Sequence, residues 1–387
     1  MRSLLSLLSR PHCLALAATS ASFAACAAAA AAPPSPPFAR VVSYNLLSSS
    51  LAPPSHFVAC SPSDLLASTR LRRIEALLSQ QTDAGALVCL QELSAEWVGA
   101  LTPFFERKGY TFVTAAYGRQ FDGYMGVGLA WPAERFESVT VELARAAETK
   151  EWPAAEGEGE KGGREGWGEW VAKWARAAWG GGGGGGERRF DALEEAARRK
   201  NVLLSAKLRC KRTAKEFSVS TYHMPCLFGS DEKVVVIHAA LAAQRAAKFA
   251  DGVPYILAGD FNFTPTSSPY KLITEGQLPA GHPQLPQMAA ADAWRPEVRP
   301  PLRSAYLEAL GAEPDFTNLA LNKFSGEQSF CETLDYIFLS PGDWAVGGVK
   351  PLPPREAVLP HCKSYPSASE PSDHVLIWAD LHLAEEK

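Results

Sequence analysis

Glu92 closes the apolar run at residues 86–90, in Leu90-Gln91-Glu92. A carboxylate at the end of a buried strand is a hard-oxygen ligand suited to magnesium; the plainer alternative is an exposed glutamate opening a helix, where its charge suits the helix dipole. Asn45, in Ser43-Tyr44-Asn45-Leu46, offers a neutral oxygen ligand or a donor to phosphate, or simply turns the chain at a strand end. His223, in Thr221-Tyr222-His223-Met224-Pro225, can donate to a phosphate oxygen, although one histidine after a strand is more often structural. Asp260 and Asn262, in Gly259-Asp260-Phe261-Asn262, are two residues apart and would share one face of a strand. A carboxylate beside an amide can hold and deprotonate a water. Asp335, before the apolar run 336–339, can accept from Nδ1 of His374 and favour its protonated form, which leaves Asp373 free to face a metal. Singly these signals are weak or moderate. In this order and number they make a set suited to metal-assisted cleavage of a phosphate ester.

Such side chains need rigid elements to bring them to one rim. Residues 38–47, 86–90, 111–116, 127–131, 202–208, 217–222, 255–258, 336–339 and 375–383 have the composition of strands. Helical periodicity covers 69–80, with Leu71, Ile74, Leu77 and Leu78 on one face. It also covers 95–108, where Trp97, Leu101, Phe104 and Phe105 point inward and Pro103 is expected to kink or shorten the helix, and 233–250. Several strands follow one another with no helix between. The pattern predicts an α/β fold, a four-layer α/β sandwich of two packed mixed β-sheets flanked by helices.

The 387-residue chain is long enough for one large core, and 47% hydrophobic with 21% charged residues is ordinary globular composition. A net charge of -4 excludes a protein that coats nucleic acid by bulk positive charge, while leaving room for a strand in a local pocket. None of the eight cysteines forms a Cys-x-x-Cys pair, so a zinc ribbon is excluded and buried reduced thiols are expected. Residues 1–36 are rich in Ala, Ser and Leu, carry Arg2 and Arg10, and lack acids. They match an organellar transit peptide, for mitochondrion or chloroplast, with a secretory signal as the competitor. The catalytic domain is expected over 38–387, interrupted at about 148–192 by a Gly- and Trp-rich flexible insertion containing seven glycines in a row at 180–186.

The motif order resembles the endonuclease/exonuclease/phosphatase superfamily, whose fold resembles deoxyribonuclease I. Within it the C-terminal half is similar to the deadenylase, nocturnin, Angel and 2′,5′-phosphodiesterase branch. The stretches that carry this are Leu302-Arg303-Ser304-Ala305-Tyr306, Glu313-Pro314-Asp315-Phe316-Thr317-Asn318, Thr333-Leu334-Asp335-Tyr336-Ile337-Phe338, Tyr365-Pro366-Ser367 and Pro371-Ser372-Asp373-His374. The resemblance implies that Glu92 binds Mg2+ (Mn2+ as the alternative), with Asn45 and Asp373 completing the metal and phosphate site. It implies that Asp260 and Asn262 orient the attacking water, that Asp335 and His374 form a dyad, and that His223 contacts phosphate. Phe330, five residues before Asp335, matches an aromatic that stacks on a substrate base, or is a core residue. The implied activity is a metal-dependent phosphodiesterase on RNA or a nucleotide, a 3′-5′ exoribonuclease foremost. A 2′-phosphatase on NADP(H), a 2′,5′-phosphodiesterase and a catalytically silent binding module are the alternatives. A monomer with no membrane span in the mature protein is expected. The short Met-Pro-Cys-Leu-Phe sequence after His223 and the insertion depart from the family pattern.

Overall fold

A computed structural model describes residues 36–117, 125–152, 191–227, 232–288, 292–321 and 328–384. The expected leader and the interior of the expected insertion lie outside the described residues. Fourteen strands are present among those described. They are β1 (Ala39–Asn45), β2 (Leu87–Gln91), β3 (Tyr110–Tyr117), β4 (Met125–Pro132), β5 (Phe136–Arg145), β6 (Val202–Cys210), β7 (Glu216–His223), β8 (Tyr255–Asp260), β9 (Arg303–Ser304), β10 (Asn318–Ala320), β11 (Phe330–Glu332), β12 (Asp335–Leu339), β13 (Trp344–Val349) and β14 (Ile377–Leu383).

They form two six-stranded sheets, ordered β13-β14-β1-β2-β4-β3 and β5-β6-β7-β8-β12-β9, and a separate β10-β11 pair. Each large sheet is mixed: β1 runs parallel to β2 and β7 parallel to β8, while their other pairings are antiparallel. The apolar runs are continuous because the central strands are buried on both faces. Along β2, Leu87 and Cys89 enter the core between the sheets, whereas Val88 and Leu90 enter the core under the outer helices. Along β8, Ile256 and Ala258 face inward and Tyr255 and Leu257 face outward. Helices Ala67–Asp83 and Ala95–Arg107 cover one sheet, and helices Glu232–Ala250 and Ser268–Glu275 cover the other. This is the expected four-layer sandwich.

Several boundaries differ from the sequence reading, each with a physical cause. The first strand ends at Asn45 rather than at 47, because Leu47 turns to a left-handed backbone (φ 50°) and donates its N–H back to Asn45 Oδ1. The helix carrying Pro103 runs through it to Arg107. The strand β5 was not expected: it is an edge strand whose outward residues, including Val139 and Leu143, are exposed, so its pattern lacks a buried run. Residues 146–152, at the start of the expected insertion, belong to the packed fold. Lys150, almost fully buried, reaches Asp292 at 2.6 Å between the rings of Trp152 and Trp294. All six described cysteines are free thiols; Cys89, Cys210 and Cys331 are buried, and Cys60, Cys226 and Cys362 are half-buried. Among the described residues no helix is long and apolar enough to cross a membrane.

His238 sits fully buried on the long helix Glu232–Ala250. Its Nδ1 accepts from the Tyr222 hydroxyl at 2.8 Å and its Nε2 donates to the Ala196 carbonyl at 3.0 Å, so the neutral ring satisfies both partners. Burial pulls its pKa down to about 4. The unfolded chain therefore takes up this proton first. The stabilisation is complete above about pH 6.5, is lost as the pH falls from there towards 4, and does not change further below. The loss across that window is expected to be about 3 kcal/mol. Urea midpoints measured from pH 7 to pH 4 should fall more steeply for the wild-type chain than for His238→Gln.

Candidate active site

Strand register brings the chemistry-bearing residues together. His223 stands opposite Asp260 and Asp260 opposite Asp335, one row across three strands of the second sheet. In the first sheet Asn45 stands opposite Gln91, with Glu92 following. Stepping in twos into the strands, back from Asn45, His223 and Asp260 and forward from Asp335, reaches Val41, Val219, Ile256 and Ile337, all in the core between the sheets. These four side chains therefore face the inter-sheet space at one rim. Directly behind them the Gln91 amide donates to Thr221 Oγ1 across the sheets at 3.0 Å. The chain turns sharply at this rim: Leu47, Glu92 and Asn262 all have left-handed backbones, with φ of 50°, 55° and 48°. Such conformations cost non-glycine residues of order 1 kcal/mol each and persist where the surroundings dictate them.

Asp260 is the hub. Its Oδ2 accepts from Asn45 Nδ2 at 2.9 Å and lies 3.5 Å from His223 Nε2 and 3.6 Å from His374 Nε2. Its Oδ1 accepts from the Asn262 N–H at 2.9 Å. The preceding Gly259 is obligatory, since a Cβ there would lie 1.9 Å from the Tyr222 carbonyl oxygen. Asn45 also donates to Glu92 Oε1 at 3.1 Å, and Glu92 Oε2 accepts from the Ser48 N–H at 3.0 Å. Burial raises the Glu92 pKa, His223 opposes this, and the charge of Asp373 raises it further. Asp373 is linked to the same corner through Ser372, whose hydroxyl donates to the Asn45 carbonyl at 2.7 Å and lies 3.4 Å from Asp373 Oδ1.

Asp335 and His374 form the expected pair, with Nδ1 2.8 Å from Asp335 Oδ2. The Thr317 hydroxyl donates to the same oxygen at 2.6 Å. Burial pushes the Asp335 carboxyl up to about 6, against the pull of His374. For His374, burial would lower the pKa, but Asp335 and Asp260 overcome it and hold the ring well above its ordinary value. Asp260, Asp335 and His374 place ligand atoms within 4.8 Å of one another, as a metal site would. Nδ1 of His374 is already bonded to Asp335, an arrangement also suited to charge stabilisation. The hard-oxygen corner at Glu92 and Asp373, two carboxylates that repel one another, has the donor chemistry for a divalent ion such as magnesium or manganese.

Two expected placements change. Asn262 does not share a strand face with Asp260, because β8 ends at Asp260. Its amide nitrogen donates instead to the Met224 carbonyl at 3.0 Å, and its contribution to Asp260 is its backbone N–H. Asn45 turns its amide nitrogen to the two carboxylates and gives Oδ1 to the Leu47 N–H. It thereby bridges Glu92 and Asp260. Phe330 opens β11 half-buried and lines a cavity of about 470 Å3 with Glu332, Arg355, Leu359 and Lys363. The hairpin links it towards the site: Glu332 pairs with Asn318, and Asn318 Nδ2 lies 3.3 Å from Asp373 Oδ2.

Sequence reasoning assigned no role to Thr317, Asn318, Tyr117 or Arg70. Arg70 is fully buried, donating to the carbonyls of Leu46 (2.5 Å), Leu47 and Pro371 (2.7 Å), and burial pulls its pKa down to about 10. It thereby ties the turn after Asn45 to the segment leading into Asp373 and His374. A signal existed, since Arg70 lies on the same four-residue stripe as buried Ile74 and Leu78.

Residues 42–374 match the model of the Endonuclease/Exonuclease/phosphatase family. The human protein 2′,5′-phosphodiesterase 12 is 30% identical over 197 residues, 49% of this chain and 30% of that protein. The CCR4-Not complex 3′-5′-exoribonuclease subunit Ccr4 of Aspergillus niger is 30% identical over 139 residues, 35% of this chain and 20% of its own. The matched stretches thus span less than a third of those relatives. Among solved structures, ANGEL2, described as a 2′,3′-cyclic phosphatase and bound to adenosine-2′,3′-vanadate, superposes with a TM-score of 0.64 at 19% identity, covering 89% of this chain and 95% of its own. The human nocturnin catalytic domain gives 0.55 at 20% identity, covering 90% and 94%. These two likenesses establish the fold.

Proposed function

The chain belongs to the endonuclease/exonuclease/phosphatase family, and from that premise we propose that it is a magnesium-dependent hydrolase of a phosphate ester in RNA or a nucleotide, acting foremost as a 3′-5′ exoribonuclease. The observation that carries this is the convergence of Asn45, His223 and His374 on one oxygen of Asp260 at the rim between the sheets. Glu92 and Asp373 would hold the ion, which when bound supplies positive charge to the phosphate and the leaving oxygen. Asp260, anchored by the Asn262 N–H, orients a water and accepts its proton. His374, kept cationic by Asp335, stabilises the charge that develops on the phosphoryl oxygens. His223 donates to the phosphate from the opposite side. Phe330, in the lining of its cavity, is suited to stack on a base.

A 2′,5′-linked substrate is the second reading, favoured by the relative named for that activity, which matches half of the chain. The leader composition supports a mitochondrial or chloroplast location. The full chain incubated with Mg2+ and oligo(A), 2′,5′-linked oligo(A) or NADPH in parallel, with an EDTA arm, tests the proposal. Release of AMP from oligo(A), abolished by EDTA, is the expected result. Turnover of 2′,5′-oligo(A) alone would select the second reading, and turnover of NADPH alone a 2′-phosphatase. Hydrolysis of none of the three would sink the proposal.

A further inference from the structure

Two imidazoles address the same carboxylate oxygen, and their far sides are held by different chemistry. His374 and His223 are both 5% exposed, and each places Nε2 about as far from Asp260 Oδ2, at 3.6 and 3.5 Å. Nδ1 of His374 is bonded to a carboxylate, Asp335. Nδ1 of His223 is bonded to a phenol, Tyr117 Oη, which reaches it from β3 of the other sheet with the rings edge to face at 6.0 Å and 76°. Tyr117 closes β3 on the inward face, two residues beyond Ala115 of the inter-sheet core, so the fold delivers its hydroxyl to the rim as it delivers Asn45.

The two ends of the His223 ring decide its tautomer together. If Nδ1 carried the proton and donated to the phenol oxygen, the Nε2 lone pair would face the Asp260 carboxylate, anion against lone pair. If the phenol donates to Nδ1, the proton sits on Nε2 and points at Asp260 and at the space where a phosphate oxygen would lie. We propose that Tyr117 is the positioning residue for His223: its hydroxyl holds the ring in the Nε2–H tautomer and aims that donor at the reacting phosphate. A carboxylate stands behind His374, and a phenol behind His223 gives that ring a donor of fixed direction. The site thus presents two imidazoles, held from behind by different groups, to a single centre.

The test is Tyr117→Phe in the full chain, which keeps the ring and its packing and removes only the hydroxyl. The first readout is the pair of ring-nitrogen shifts of His223 in a protein labelled with 15N-histidine, assigned among the eight histidines with a His223→Gln control. This readout needs no substrate, and so stands apart from the hydrolase reading. The wild-type chain is expected to show an Nε2–H ring and the variant a mixture of tautomers. The second readout rests on that reading: kcat should fall about 10-fold with KM little changed, as for the loss of one orienting hydrogen bond. An unchanged Nε2–H ring in Tyr117→Phe would overturn the proposal, whatever happens to the rate. So would a redistributed tautomer in an enzyme that turns over at the wild-type rate.

Discussion

Asp260→Asn should fold and should hydrolyse its substrate about 1000-fold more slowly at saturating metal and substrate. The amide keeps the size of the carboxylate. Its one oxygen can still accept from the Asn262 N–H, while the amide nitrogen takes the place of the oxygen that accepted from Asn45 Nδ2, so one of the two short bonds is kept and the other lost. What it cannot do is take a proton from water. The histidines do not replace it, since His374 is already charged and its Nδ1 is committed to Asp335. A metal-holding role for Asp260 makes a different prediction: activity would return as the magnesium concentration is raised. Rates measured across a magnesium titration separate the two. A variant that recovers most of the wild-type rate at high magnesium would remove Asp260 from the role of base, and a variant as fast as the wild type throughout would remove it from the mechanism.

The roles were readable from the chain to the extent that a buried strand announces its own end. Asn45, His223 and Asp260 each close an apolar run that is hidden on both faces, and a polar residue at that point has only the rim to face. Two-residue periodicity then predicts the side of the sheet, and the register completes the cluster. The same rule fails one residue beyond the strand. Asn262 lies past the end of β8 with a left-handed backbone, so its side chain goes to Met224 and away from the water it was expected to hold. Tyr117 was hidden for the opposite reason: it ends an edge strand of mixed exposure, where a tyrosine carries no signal. Thr317 and Asn318 are held at Asp335 and Asp373 by a short hairpin whose strands are only three residues long, below what periodicity resolves.

Arg70 shows what a face-by-face reading of a helix misses. Three arginines lie within Thr69-Arg70-Leu71-Arg72-Arg73, and only the first is buried. Its charge is satisfied by backbone carbonyls of two loops instead of by an acid, so charge-pair reasoning would not have found it. The loops it joins carry Ser48, which donates to Glu92, and the Ser372-Asp373-His374 segment. The metal corner is thus assembled from segments far apart in the chain and held by groups that ligate nothing.

That corner should trade stability for function, and Glu92→Gln exposes the trade with effects of opposite sign. In the absence of a divalent cation, burial and the Asp373 charge both disfavour the ionised Glu92, which is why its pKa is raised. The amide removes the repulsion and keeps one of the two bonds: its oxygen can accept from the Ser48 N–H where Oε2 does, while the bond from Asn45 Nδ2 to Oε1 is lost. The variant is therefore expected to be more stable than the wild type in EDTA and to have lost activity by at least about 100-fold. Magnesium reverses the order. A ligand that binds only the folded chain raises its melting temperature with concentration, so the wild type should gain stability along a magnesium titration and Glu92→Gln should gain little. Thermal melts of both proteins with EDTA and across that titration read the prediction without any substrate. Equal magnesium-dependent stabilisation of the two proteins would place the ion elsewhere. The Asp260 cluster would then have to be reconsidered as its ligand set.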